Sequence, residues 1–172
     1  LDMDVMAFGC TSASIIIGQE QVVELLTQQR GDIPATNPWA AAQAAFAALG
    51  VEKVAVFSPY PTAVNFPLYQ QLTDAGYEVV ALGALGIEKD TDITLVAKQS
   101  MLDGLDAMLP GSGAEAVFMS CTNLRVLDHI QEIEQRFGIP VVSSNSAMFW
   151  HAMALAGKQA YCPGYGRLLT LY

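Results

Sequence analysis

The sequence predicts an α/β fold of two pseudo-symmetric lobes, each a parallel sheet flanked by helices. Two observations carry this expectation. Short apolar runs alternate along the chain with longer amphipathic ones, the signature of βαβ units. A pattern of strand, Cys-Thr, helix, Ile-Pro, polar turn, Ala-rich helix and closing Gly also occurs twice, as duplicated lobes would.

The elements follow in order. "DVMAFG" reads as a strand over Asp4–Gly9, and a helix is expected over Gly18–Arg30. Asn37 followed by Pro38 opens a helix to Leu49: the amide caps the first turn, and proline suits a position whose N–H has no intrahelical partner. Further strands are expected at Lys53–Ser58, Tyr77–Leu82, Glu115–Ser120 and Ile139–Val142. They are rich in Val, Ala, Phe and Met with little alternation, which suits strands buried on both faces. Helices are expected at Ala63–Ala75, Asp92–Leu109, Leu124–Phe137 and Ser146–Ala156. Gly50, Gly76, Gly138 and Gly157 fit helix stops. Residues 1–50 form the first lobe and 51–157 the second, with 158–172 returning to the first. The chain opens at Leu1 almost inside a strand, so the first lobe is expected to lack an N-terminal strand.

Composition narrows the function. Of 172 residues, 52% are hydrophobic and 15% charged, enough apolar material for a sizeable core. A net charge of −9 disfavours nucleic acid and anionic membrane surfaces as partners. No apolar run approaches the roughly 18–20 residues of a membrane span, and no signal peptide opens the chain, so a cytoplasmic protein is expected. Three cysteines at low density point to free thiols rather than a disulfide framework. A homo-oligomer is the default expectation.

The repeated corner carries the chemistry. Cys10 in "FGCTSA" and Cys121 in "MSCTNL" each follow an apolar run, at the carboxyl end of a strand, where open α/β sheets bind ligands. Two lobes facing each other would place both thiols on one cleft. A following helix N-terminus favours the reactive thiolate at such a corner. Its N–H groups, with the hydroxyls of Thr11, Ser12 and Thr122, can hold a carboxylate and the charge that builds on it when an adjacent proton leaves. No cationic cofactor is then required. "FSPYPTAVN" adds Tyr60 near the same sheet edge, either as an ordinary loop aromatic or as a phenol donating to a carboxylate. A lone cysteine in this setting would read as a small buried hydrophobe; the pair argues otherwise.

Other chemistries find no support. There is no Cys-x-x-Cys, and His129 and His151 fit no metal-ligand spacing, so no metal site is expected. His151 reads as a packing residue, His129 as lying on an exposed helix face, and Cys162 in "YCPGYG" as structural. No G-x-S-x-G elbow or G-x-G-x-x-G loop appears. Arg125 either strengthens a local positive field or forms a surface ion pair.

The segments "GCTSAS", "SPYPTAVN", "SCTNLRVLDHIQEIEQRFGIPVVSSNSAMFWH" and "PGYGRLLTL" together span nearly the whole chain. Through them the sequence resembles the aspartate/glutamate racemase superfamily, in its maleate cis–trans isomerase and arylmalonate decarboxylase branch, which includes ectoine-utilisation proteins. The resemblance implies two α/β lobes around a cleft and no cofactor. It makes Cys10 and Cys121 the catalytic pair, with Thr11, Ser12, Tyr60, Thr122 and Asn123 binding substrate. It also implies an N-terminal strand and polar loop that would precede Leu1. A racemase would use both thiols as bases. A maleate-type isomerase would add one thiolate to the double bond, and an arylmalonate-type decarboxylase would need one cysteine. The expected function is a cofactor-independent racemase or cis–trans isomerase of a small carboxylate or dicarboxylate. The alternatives are a decarboxylase of that type and a non-catalytic carboxylate-binding protein.

Overall fold

The computed structural model describes residues 2–171. The chain has the expected class: an α/β fold with parallel sheets flanked by helices. Strands β1 (Met6–Ala7) and β2 (Ala35–Thr36) pair in parallel, with Met6 opposite Ala35 and Ala7 opposite Thr36. The larger sheet contains β3 (Lys53–Ser58), β4 (Glu78–Ala84), β5 (Ala116–Met119) and β6 (Val141–Ser143), all parallel, in the order β4-β3-β5-β6.

Side-chain alternation in this sheet builds a core on each face. Val54, Val56, Ala116, Phe118 and Val142 point to one side and pack with Trp39, Phe46, Leu68 and Leu72. Those four belong to helices α3 (Pro38–Leu49) and α4 (Thr62–Asp74). Ala55, Phe57, Val117, Met119 and Val141 point to the other and pack with Leu105, Ile130 and Ile133. Those three come from α6 (Lys98–Met108) and α7 (Ile130–Phe137). Phe57 needs bare backbone beside it, since a Cβ added at Gly104 would strike its ring, and one at Gly83 would strike the Met108 sulfur and crowd the same ring. Helix α8 (Ser144–Leu155) packs against α3 and β2 and so ties the small sheet to the large one.

Several boundaries differ from the sequence expectation for identifiable reasons. The helix expected at Gly18–Arg30 begins earlier, as α1 (Thr11–Ile17). It then breaks at Gly18, whose φ of 96° no helix can continue, before α2 (Gln19–Thr27). The helix expected at Asp92–Leu109 divides into a single turn, α5 (Asp90–Ile93), and α6. The intervening bend turns both Ile93 and Val96 into the same apolar cluster. The helix expected from Leu124 starts at Ile130, after a 3-10 turn over Leu127–His129, because buried Leu124 and Val126 first fold over the strand end. Strand β2 was not expected, and only two residues of Asp4–Gly9 pair as β1; pairs this short leave no periodicity to read.

The caps fall where the residue types demand. Asn37 Oδ1 accepts from the N–H groups of Trp39 and Ala40 at 3.1 and 3.0 Å. Ser143 and Ser146 form a reciprocal capping box on α8. The repeat therefore aligns Asn37 with Ser143, both N-caps two residues after a strand start.

One buried acid locks the C-terminal segment to this frame. Glu134 is 4% exposed, and its carboxylate accepts from the N–H of Val141 at 2.9 Å and of Arg167 at 2.9 and 3.1 Å. Burial pushes its pKa up, against the pull of those two amides and the Arg167 guanidinium. Gly166, at φ 91°, lies so close to Ile130 and Glu134 that no side chain fits there. Replacing Glu134 by Ala strands the buried Val141 amide and frees the partly buried Arg167 amide, and is expected to cost about 2–3 kcal/mol, read by urea unfolding.

Candidate active site

The order β4-β3-β5-β6 sets the site. From β3 the chain moves outward to β4, then returns past β3 to β5 on its other side. The crevice beyond the carboxyl ends of β3 and β5 is thus the switch point of the sheet. Ser58 to Tyr60 end β3, and Ser120 to Thr122 end β5. The carboxyl end of β1 supplies Gly9 and Cys10 and opens directly into α1 at Thr11.

Hydrogen bonds join the two cysteine corners through the residues on either side of Cys10. Thr122 Oγ1 donates to the Gly9 carbonyl at 3.0 Å. Thr11 Oγ1 donates to Ser144 Oγ at 2.8 Å, and the same Ser144 oxygen accepts the Cys121 N–H at 3.0 Å. Asn145 Nδ2 donates to the Thr122 carbonyl at 2.9 Å and holds that turn on α8. Cys121 itself stands at φ 115°, a left-handed conformation that glycine alone adopts freely.

The thiols have different surroundings. Cys121 is 6% exposed, Cys10 is half-buried, and both are free thiols. Burial pushes the Cys121 thiol up; the Tyr60 phenol and the N–H groups of Asn123 and Leu124 pull the other way, and the Asp90 carboxylate adds to the rise. The net direction keeps Cys121 protonated, the state of a proton donor. Those two N–H groups belong to the turn after β5 and not, as the sequence suggested for both corners, to a helix N-terminus. Cys10 caps α1, with its Sγ 3.7 Å from Ser12 Oγ.

Tyr60 completes the cluster. Its phenol is turned toward the side chains of Cys121, Ser120 and Thr11. Burial first, and the neighbouring Cys121 sulfur second, hold the phenol far above its ordinary ionisation, so it acts as a neutral donor. Asn65 fixes the loop from below: its Nδ2 donates to the Tyr60 carbonyl at 2.8 Å, and its Oδ1 accepts from Ser58 Oγ at 2.5 Å.

Of the residues singled out in the sequence, Cys10, Thr11, Ser12, Tyr60, Cys121 and Thr122 come together here. The Thr11 hydroxyl hydrogen is already committed to Ser144, which leaves its oxygen and its backbone N–H facing other groups. The Asn123 side chain is bonded to Asp90 Oδ2 at 2.6 Å, so it reaches the corner through its backbone. Cys162 lies in the C-terminal segment, its N–H bonded to the Leu169 carbonyl. His151 shares a 2.8 Å hydrogen bond with Thr36, and burial keeps its imidazole neutral, a packing arrangement. His129 is half-buried at the foot of α7 rather than on an open face. Among the described residues no group of three or more His, Cys, Asp or Glu is placed to hold a metal ion. The sequence reading missed Ser144, buried Ser120 and Asp90. Ser144 sits within the polar turn after the second Ile-Pro, but nothing in its neighbours marks it apart from Ser143 and Ser146.

Fold and site define a class: α/β proteins of the aspartate/glutamate racemase-like kind, with thiol corners meeting at strand ends. The chain belongs to the arylmalonate decarboxylase family, which it matches over residues 3–169. It is 36% identical over 138 residues to arylmalonate decarboxylase of Bordetella bronchiseptica, covering 79% of this chain and 58% of that protein's length. A solved double mutant of arylmalonate decarboxylase in a liganded form superposes with a TM-score of 0.86 at 32% identity, over 96% of this chain and 72% of that one. Maleate cis–trans isomerase of Nocardia farcinica, solved as a cysteine-to-serine mutant with a covalently bound succinylcysteine intermediate, has the same fold. Its TM-score is 0.91 at 20% identity, over 97% of this chain and 71% of that one.

A phenol that donates to the Cys121 sulfur stabilises its thiolate. Tyr60→Phe is therefore expected to move the pH midpoint of Cys121 alkylation upward, measured with iodoacetamide in a Cys10→Ser, Cys162→Ser background.

Proposed function

We propose that the protein is a cofactor-independent isomerase of a small carboxylate or dicarboxylate, with Cys10 and Cys121 acting on the same reacting centre. The observation that carries this reading is the bridging of the two corners: both sequence neighbours of Cys10 are tied to the Cys121 corner, through Thr122 and through Ser144. Substrate carboxylate oxygens would be met by the Ser12 hydroxyl and the N–H groups that open α1, while the Tyr60 phenol stays on the Cys121 sulfur. These donors are fixed before charge develops, where removing a single one costs about 3–4 kcal/mol of barrier stabilisation.

The two thiols divide the work by burial. Cys10, the more accessible, acts as nucleophile or base; Cys121, kept protonated, acts as acid. In cis–trans isomerisation the Cys10 thiolate adds to one alkene carbon, and the π electrons pass to the other carbon and its carboxylate as an enediolate. Cys121 protonates that carbon, rotation follows about the new single bond, and the Cys121 thiolate takes a proton back from it as the returning electrons expel the Cys10 thiolate. A succinylcysteine intermediate in the Nocardia enzyme is the protonated form of such an adduct. In racemisation the Cys10 thiolate would instead remove the α-proton while Cys121 delivers one to the opposite face.

A second reading is favoured by the 36% identity to arylmalonate decarboxylase and by the family match. There the C–C bond to one carboxylate breaks, CO₂ leaves with its carbon, and the bonding pair stays behind as an enediolate that Cys121 protonates. This reaction needs only Cys121.

The readings separate by mutation and isotope. Under both, Cys121→Ser is expected to lose about 10²–10⁴-fold in kcat, the ordinary worth of a positioned acid. Cys10→Ser abolishes isomerisation yet leaves decarboxylation within about threefold. Incubation in D₂O with aspartate, glutamate, maleate, hydantoins and methyl-phenylmalonate, followed by NMR, reads α-exchange, fumarate and CO₂ loss together. Full activity of Cys121→Ser on any of these acids would sink both readings.

A further inference from the structure

We propose that Ser144 is a positioning residue for the two-thiol site: its hydroxyl oxygen is the shared acceptor that sets the Thr11 side chain and the Cys121 backbone in register. The proposal rests on the function proposed above and adds a residue to it.

Ser144 is 0% exposed and is the first residue of α8, so it touches no solvent and lies one layer behind the thiols. Its oxygen takes two hydrogen bonds from opposite corners: Thr11 Oγ1 at 2.8 Å and Cys121 N–H at 3.0 Å. Thr11 is 1% exposed, so no water can substitute as its acceptor. The helix end beneath is itself rigid. The Ser143–Ser146 capping box fixes its first turn, and Asn145 next door holds the Thr122 carbonyl.

Two consequences follow. First, the Cys121 N–H is consumed by Ser144 and is not offered to substrate; the amides left to face the Cys121 sulfur are those of Asn123 and Leu124. Second, that bond helps hold Cys121 at φ 115°, a backbone conformation that a residue with a Cβ rarely adopts. Without the acceptor the Cys121 peptide plane is free to turn. The sulfur then swings away from the Asn123 and Leu124 amides, and the Thr11 side chain is released at the same moment. A contact made only for stability would not couple these two events to the thiol.

The test uses Ser144→Ala, with peptide-resolved mass spectrometry of iodoacetamide alkylation against pH, and kcat and KM on whichever acid the D₂O panel turns over. The expected result is an upward move of the Cys121 alkylation midpoint, with kcat lowered about a hundredfold and KM kept within about threefold. An unchanged midpoint in folded Ser144→Ala overturns the inference, whatever happens to turnover. If Ser144→Ala does not fold, Ser144→Cys keeps the bulk and offers only a weak sulfur acceptor, and the same midpoint decides. The two claims fail separately. Full turnover by Cys121→Ser removes the proposed function, whereas an unmoved midpoint with inactive Cys121→Ser removes only the role of Ser144.

Discussion

A sheet covered on both faces leaves no room for polar groups along its length, and the architecture of this protein follows from that restriction. β3, β5 and β6 are apolar inward and outward, with Phe57 and Phe118 buried on opposite sides. Hydroxyls, thiols and the phenol are displaced to the strand ends, where backbone donors and acceptors stop pairing within the ladder. Ser58, Ser120 and Ser143 each stand where a strand runs out, and each is essentially without solvent contact. Polarity that is both concentrated and dry is strongly coupled: every hydrogen bond there is worth more than on the surface, and every missing one costs more.

Under the proposed function, that setting lets an acidic chain meet an acidic substrate. The formal charge is −9, and apart from Glu134 its acids lie at the exterior. Apart from Asp90, the residues gathered at the strand ends are neutral donors: phenol, hydroxyl, thiol and amide. Ser120 Oγ, fully buried beside Tyr60, forms no hydrogen bond of good geometry and adds one more unspent polar group. The burial that keeps Tyr60 and Cys121 protonated also lowers the dielectric through which their dipoles act, so donor strength replaces formal positive charge.

What the sequence disclosed is local. The long apolar runs announced their strands, and Asn37-Pro38 announced its helix, because each signal lies within a few residues of its effect. The Cys-Thr repeat drew attention, for the same reason, to two corners that the fold joins by hydrogen bonds. The sequence was silent wherever the deciding partner is remote. Ser144 is 133 residues from Thr11, and Asp90 is 33 from Asn123. Neither pairing has a periodicity or a composition. The early start of α1 was hidden because three β-unbranched small residues, Ser12, Ala13 and Ser14, resemble loop as much as helix. The late start of α7 was hidden because Leu124 and Val126 continue an apolar pattern while serving a turn.

The left-handed backbone of Cys121 has a bearing on descent. At φ 115° glycine is the residue of least conformational energy, and any side chain is retained against a standing gradient. Under the proposed function, the thiol persists there only while selection for its chemistry outweighs that gradient. A lineage released from such selection would drift toward glycine at this one position and gain stability in doing so. If Cys121 is the acid proposed above, the identity of this residue in a related sequence is a record of use: cysteine marks a working site, and glycine marks a chain that has kept the fold and given up the reaction.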